Sequence, residues 1–385
     1  MIRTLNKMDK PLLILSIVMF IFGLFMILDA SSMKSFLNTG ENTKYFFRQL
    51  SFLILAAIFS ITIIRLPLKR YNRLIYTISF ALICMLLYLL IAGTETSAGV
   101  KSWIYIGKFG LQPSEFAKVA LILFTGIYYQ INQKRLNNFV VAVIPLALGA
   151  IFTLLTLLQP DGGTGLILFL ISIILFYSSK VDKKIKINIT FAGLIIAVIG
   201  LLIILVSGKN PLSDMQQGRF NYKKPCTRYQ EDTGYQVCNG YIAINNGKLF
   251  SIEPGNSKQK YLYIPEPHND FIFSIIGEEV GLIGCLFIIA LFLIFIWRGV
   301  RVAMNAKDTY GKLLAMGITS IIAVQAIINI AVVTGSMPVT GVPMPFISYG
   351  GSSLLSYMIL IGIILNIREE HSNYQYSYKK KGLFG

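Results

Sequence analysis

The chain has 385 residues, 55% of them hydrophobic and only 14% charged, with 35 Lys and Arg against 18 Asp and Glu and a formal net charge of +17. A soluble domain carries about 25% charge, so a soluble globular enzyme and a disordered tail are excluded, and the 32 Gly show no collagen-like period. What remains is an all-α polytopic membrane protein. Its basic residues sit mostly in short segments between apolar runs, which reads as topology and not as nucleic-acid binding.

Crossing the hydrocarbon takes about 20 apolar residues. The hydropathy pattern predicts ten spans, at about 11–29, 49–65, 74–93, 116–131, 139–158, 163–179, 187–207, 271–297, 313–335 and 346–366. The first is long for a signal-peptide core, and nine more follow it, so it is expected to stay as a mature helix. From Leu313 to Ile367 no residue is charged, and a Pro-, Gly- and Ser-rich stretch splits that run in two. Most Lys and Arg fall in the N-terminus, in alternate connections and in the tail. The positive-inside bias therefore predicts both termini, including the tail at about 367–385, to be cytoplasmic. The connection at about 208–270 is then a large extracellular loop. The whole of 1–385 reads as a single membrane domain.

Cys84 and Cys285 lie inside apolar runs, where a thiol behaves as a small hydrophobe. Cys226 and Cys238 lie in the long loop, where either a disulfide or two separate thiols fits the spacing. Neither Cys nor His shows zinc spacing.

Four stretches carry chemistry. The first is Lys101-Ser102-Trp103-Ile104, followed by Gln112-Pro113-Ser114-Glu115-Phe116-Ala117-Lys118. Pro113 is a good helix start, and Glu115 and Lys118, three apart, share a face and can pair. Such a pair, with Trp103 in the interfacial aromatic belt, is either a membrane-edge ion pair or part of a phosphate site. The second stretch, Gln159-Pro160-Asp161-Gly162-Gly163-Thr164-Gly165, reads as an ordinary tight turn and is no P-loop.

The third is Tyr263-Ile264-Pro265-Glu266-Pro267-His268-Asn269-Asp270, leading into an apolar run that holds Glu278 and Glu279. Ionisable groups inside a membrane helix are costly and default to function. With a helix starting at Asp270, that residue, Ser274, Gly277, Glu278 and Gly281 fall on one small, polar face that a helix or a ligand can approach closely, while Glu279 points away. Capping accounts for Asp270 but not for the two Glu. The fourth runs from Thr334 to Ser353 and contains Pro338, Pro343, Pro345, Ser348 and Ser352. It cannot form a regular helix. Uncharged irregular backbone at membrane depth is tolerated where it lies in protein or lines a cavity, so a re-entrant loop is predicted. Gln325 and Asn329, four apart, read as interhelical glue. With only His268 and His371 present, on opposite sides, no Ser-His-Asp set exists.

Together, WIYIGKFGLQPSEFAK, QPDGGT, GNSKQKYLYIPEPHNDFIFSIIGEEVG and TGSMPVTGVPMPFISYGGSS resemble the SEDS family (shape, elongation, division and sporulation) of bacterial wall-building membrane proteins, which includes FtsW, RodA and SpoVE. The stretches occur in the family's order over nearly the whole chain, and GNSKQKY is more similar to the division branch, FtsW. The resemblance implies a glycosyltransferase of the bacterial cytoplasmic membrane. It would polymerise lipid II on an undecaprenyl-pyrophosphate-linked glycan, beside a class B penicillin-binding protein and other division proteins. It makes Asp270 the catalytic residue and puts Trp103, Lys101, Glu115, Lys118, His268, Glu278, Ser348 and Ser352 at the substrate. Three features depart from the family pattern. His268-Asn269-Asp270 stands where His-Thr-Asp is usual, the Gly-rich turn before GNS is Ser251-Ile252-Glu253-Pro254, and the segment holding Cys226 and Cys238 is additional.

The implied reaction is one inverting displacement, which needs a single base. Asp270 would take the acceptor proton. Lys118, Lys101 or a divalent cation (Mg or Mn) would meet the leaving pyrophosphate, with Glu115 holding the metal or orienting Lys118 and Glu278 supporting either role. A lipid II flippase would need polar residues through the full membrane depth. A non-catalytic scaffold for the penicillin-binding protein would not need Asp270.

Overall fold

A computed structural model describes residues 8–65, 71–93, 99–107, 109–207, 218–219, 222–230, 232–250, 255, 257–261 and 263–381. The turn at 251–254 lies outside the described residues. Each of the ten predicted spans falls on a helix. These are α1 (Lys10–Thr39), α2 (Lys44–Arg65), α3 (Tyr71–Ala92), α4 (Pro113–Ile131), α5 (Phe139–Leu157), α6 (Gly162–Ser178) and α7 (Lys183–Ser207), then α9 (Ile272–Asn305), α10 (Thr309–Val333) and α11 (Gly351–Lys381). Between α7 and α9 lies α8 (Asp232–Gly247).

Among the described residues, six helices are long and apolar enough to cross a membrane, namely α1, α2, Leu74–Ala92 of α3, α5, α9 and α10. The apolar parts of α6 and α11 are shorter. α4 is buried on nearly all sides from Pro113 to Ile127, so it lies in protein and tolerates Glu115 and Lys118. It packs with α10 at the centre of the bundle, α10 in turn against α6 and α9. α1 packs on α2 and α9, α2 on α11, α3 on α4 and α5 on α6. The large side chains of α7, such as Phe191, Leu194 and Ile196, stay exposed, at little cost where the surroundings are lipid.

The predictions fail locally in four places. The helix expected to begin at Asp270 begins at Ile272 and breaks at Gly281, whose φ of 72° and ψ of −172° lie in a region open essentially to Gly. Glu278 and Glu279 thus sit on a short helical piece ahead of the long one. The last helix begins at Gly351, not at about 346, because residues 346–350 belong to the irregular loop. A hairpin, β1 (Ile104–Ile106) paired antiparallel with β2 (Phe109–Leu111), was not legible from strands of three residues. Nor was α8, whose apolar residues come in short runs broken by Asn and Gly, the longest being Tyr241–Ile244. α8 packs on α9, and Gly247 lies so close to the Gly277 carbonyl that no side chain fits between them. The small face foreseen around Ser274 and Gly277 therefore receives a helix. Cys226 and Cys238 form a disulfide that ties the turn Pro225–Arg228 to α8.

Candidate active site

At one end of the bundle the connections bond to one another and to the neighbouring helices α1 and α2. The Lys101 N–H donates to the Gln159 carbonyl, Lys34 Nζ to the Pro265 carbonyl, and the Gly350 N–H to Gln49 Oε1. Residues 263–271, ahead of α9, form a run of turns, where Pro265 and Pro267 fix φ and remove two donors. Three consecutive carbonyls of this run are pinned. His268 O accepts from the Tyr349 N–H at 2.9 Å, Asn269 O from Ser348 Oγ at 2.6 Å, and Asp270 O from Asn329 Nδ2 at 2.7 Å. Two of those donors lie on the 334–350 loop.

That loop is itself rigidly seated. Phe346 adopts a φ of 67°, a strained value for an aromatic residue. Its ring is buried against Phe20, Phe295 and Tyr357, with centroids at 5.0, 5.5 and 5.5 Å, and this packing holds the strain in place. The loop therefore enters the bundle between α1, α9 and α11.

Asp270 itself is half-buried. Burial, with the nearby Glu266 charge, pushes its carboxyl up to about 6, while its own backbone N–H and Arg219 pull the other way. His268 is 2% exposed and packs against the rings of Tyr45 and Tyr349, which also touch each other. Burial, aided by Lys34, lowers its imidazole to about 4, and among the described residues Nδ1 has no hydrogen-bond partner. A neutral His268 in that position packs against the Asp270 segment and is not offered to a ligand in solution.

The geometry also corrects the role expected of Glu278. It is fully buried, and its oxygens accept from Asn246 Nδ2, Ser257 Oγ and the Gln259 N–H, so it anchors α8 and the 257–261 segment. Glu279 pairs with Lys260 Nζ at 2.8 Å, and the same ammonium meets Asp29 Oδ1 at 2.6 Å. Sequence reasoning missed Lys260 and Asp29, although a carboxylate inside the first apolar run was a signal of the same kind as Glu278.

The remaining candidates gather at the hairpin and the start of α4. Trp103 is half-buried, with its ring over Gly110, and Lys101 is half-buried nearby. Ser352 Oγ accepts from the Gln112 N–H and donates to the Gly110 carbonyl, which fastens the hairpin to α11. Glu115 and Lys118 are 2% and 1% exposed and pair at 2.7 Å, and the second Glu115 oxygen accepts from Ser356. Lys118 is thus enclosed with its partner and not presented at the rim. Asp161, which caps α6, accepts from Gln112 Nε2 at 3.1 Å. Burial raises its carboxyl, and the negative charge of Glu115 adds to that. Among the described residues no three His, Cys, Asp or Glu come together to hold a metal, and both Glu115 oxygens are taken.

This arrangement defines a polytopic helical membrane protein with a half-buried, firmly held carboxylate at one end of its bundle. A profile of the FtsW/RodA/SpoVE family, described as cell cycle protein, matches residues 10–373. The stage V sporulation protein E of Bacillus subtilis (strain 168) is 34% identical over 365 residues, covering 93% of this chain and 96% of that protein. The probable peptidoglycan glycosyltransferase FtsW of the same organism is 34% identical over 373 residues, covering 95% and 91%. Among solved structures, a chain of a peptidoglycan synthase complex superposes with a TM-score of 0.73 at 23% identity, covering 94% and 98%. Thermus thermophilus rod shape determining protein RodA superposes with a TM-score of 0.66 at 22% identity, covering 94% and 97%. The chain belongs to the FtsW/RodA/SpoVE family.

Proposed function

We propose that the chain is a peptidoglycan glycosyltransferase that polymerises lipid II at the outer membrane face, with Asp270 as general base. The observation that carries this reading is the half-buried Asp270 carboxyl, pushed up to about 6 at the end of a segment whose carbonyls at 268, 269 and 270 each accept a hydrogen bond. A base of that strength is about nine-tenths ionised at pH 7 and still accepts a proton from a hydroxyl that is being deprotonated by bond formation. The likeness to relatives named as peptidoglycan glycosyltransferases supports the substrate.

In the reaction, the acceptor 4-hydroxyl of lipid II attacks C1 of the glycan on undecaprenyl pyrophosphate. The new C1–O bond forms as the C1–O bond to pyrophosphate breaks. Asp270 takes the hydroxyl proton, and undecaprenyl pyrophosphate leaves with the electron pair. One displacement converts an α-linked donor into a β-1,4 product, so no second carboxylate is required. Lys101 is the candidate cation for the leaving group, since Lys118 is enclosed by Glu115. Trp103 stacks against sugar or prenyl carbon. The termini lie on the cytoplasmic side, and a class B penicillin-binding protein cross-links the strands as they emerge.

The test is lipid II polymerisation by the purified protein with its cognate penicillin-binding partner, wild type beside Asp270→Asn. Glycan strands from wild type and none from the variant support the base. Equal product from both would remove Asp270 from that role.

A further inference from the structure

We infer that Asn329 is a positioning residue for Asp270, resting on the reading that Asp270 is the base. Asn329 is 1% exposed on α10, the central helix. Both hydrogens of its Nδ2 are in use, one on the Asp270 carbonyl at 2.7 Å and the other on the Val342 carbonyl at 2.8 Å. One carboxamide therefore joins three elements, namely α10, the residue that carries the carboxylate, and the irregular loop. The loop closes the arrangement by itself holding the two preceding carbonyls through Ser348 and Tyr349.

A general base acts through the distance and angle at which it meets the proton, and a displacement of about 1 Å can cost about 100-fold in rate. The Asp270 peptide lies outside the ladder of α9, so helical hydrogen bonding does not hold its carbonyl. Asn329 supplies that restraint from the centre of the bundle. Leu or Asp at 329 matches Asn closely in size but offers neither of the two N–H donors. The part-buried Asp270 carbonyl and the buried Val342 carbonyl then lose this donor, and the segment relaxes toward solvent.

The experiment measures lipid II polymerisation by the full chain with its partner, with initial rates normalised to the monodisperse fraction. Wild type, Asn329→Leu, Asn329→Asp, Ser348→Ala and Asp270→Asn are compared from pH 5 to 8. The expected result is a fall in kcat of about 10- to 100-fold for both Asn329 variants, with KM within about twofold. The acid limb of the Asn329→Leu profile moves down by about one unit, as a carboxylate released to water regains its ordinary strength, whereas in Asn329→Asp the like charge of the new carboxylate beside the Asp270 segment opposes that shift. Ser348→Ala, which loosens the same segment one residue away, moves the limb in the same direction by less. A merely structural role would lower the folded yield and leave both the normalised kcat and the limb where they are in wild type, and that outcome overturns the inference. If the Asn329 variants do not fold, Ser348→Ala decides, and an unmoved limb overturns it. An active Asp270→Asn removes the underlying reading and this one with it. An inactive Asp270→Asn beside unaltered Asn329 variants sinks this inference alone.

Discussion

Replacing Lys260 by Met takes away the ammonium that lies between Glu279 and Asp29. Its Nζ is 2.8 Å from Glu279 Oε1 and 2.6 Å from Asp29 Oδ1, and it also donates to the Gly255 carbonyl. Lys260 and Glu279 are each 3% exposed, whereas the Asp29 side chain is 26% exposed and partly screened. At an effective dielectric of about 20, a unit pair at 2.8 Å attracts by about 6 kcal/mol. Desolvation of two buried ions offsets most of that, but removing one partner leaves the other charge buried alone, at a cost of about 3–5 kcal/mol. The ammonium also joins the 255–261 segment to α1 and α9, so its loss frees the chain that leads to Asp270. The assay is thermal unfolding in detergent of wild type, Lys260→Met, Glu279→Gln and the double variant. Lys260→Met melts several degrees below wild type, and the double variant recovers part of the loss because no bare carboxylate remains at 279. A single variant that melts with wild type, or a double variant as low as the sum of the singles, would refute the reasoning.

Two further outcomes follow from contacts elsewhere in the fold. Burial lowers His268 to about 4 from an ordinary 6.5, so the unfolded chain binds the proton first. The contribution of neutral His268 to stability is complete above pH 6.5 and is lost as pH falls toward 4, at up to about 1.4 kcal/mol per unit. Melting curves against pH should therefore slope more steeply for wild type than for His268→Gln, and parallel curves would remove His268 as the cause. Gly247→Ala drives a methyl into the Gly277 carbonyl and pushes α8 off α9, at about 1–3 kcal/mol by overpacking. Gly193→Ala on α7 meets nothing among the described residues within 4 Å and is the control. Equal melting of the two variants would show that α8 yields freely.

The helical count was legible because lipid demands long apolar runs and each run is a local property of the chain. The irregular character of 334–350 was equally local, since Pro338, Pro343 and Pro345 cannot continue a helix. Asp270 and the Glu115–Lys118 pair stood out because charge is rare in such a chain. The fate of each polar group was not visible, because it depends on partners far away in sequence. Glu278 looked like a ligand contact until Asn246, Ser257 and Gln259 closed around it. Asn329 looked like ordinary interhelical glue, yet its two bonds run to Asp270 and Val342. Composition and periodicity alone thus determined that the chain spans a membrane as a helical bundle with charge at rare, chosen places. Only the tertiary structure decided which of those charges are enclosed and which carboxylate is left half open, because burial and hydrogen-bond partners arise when distant segments pack.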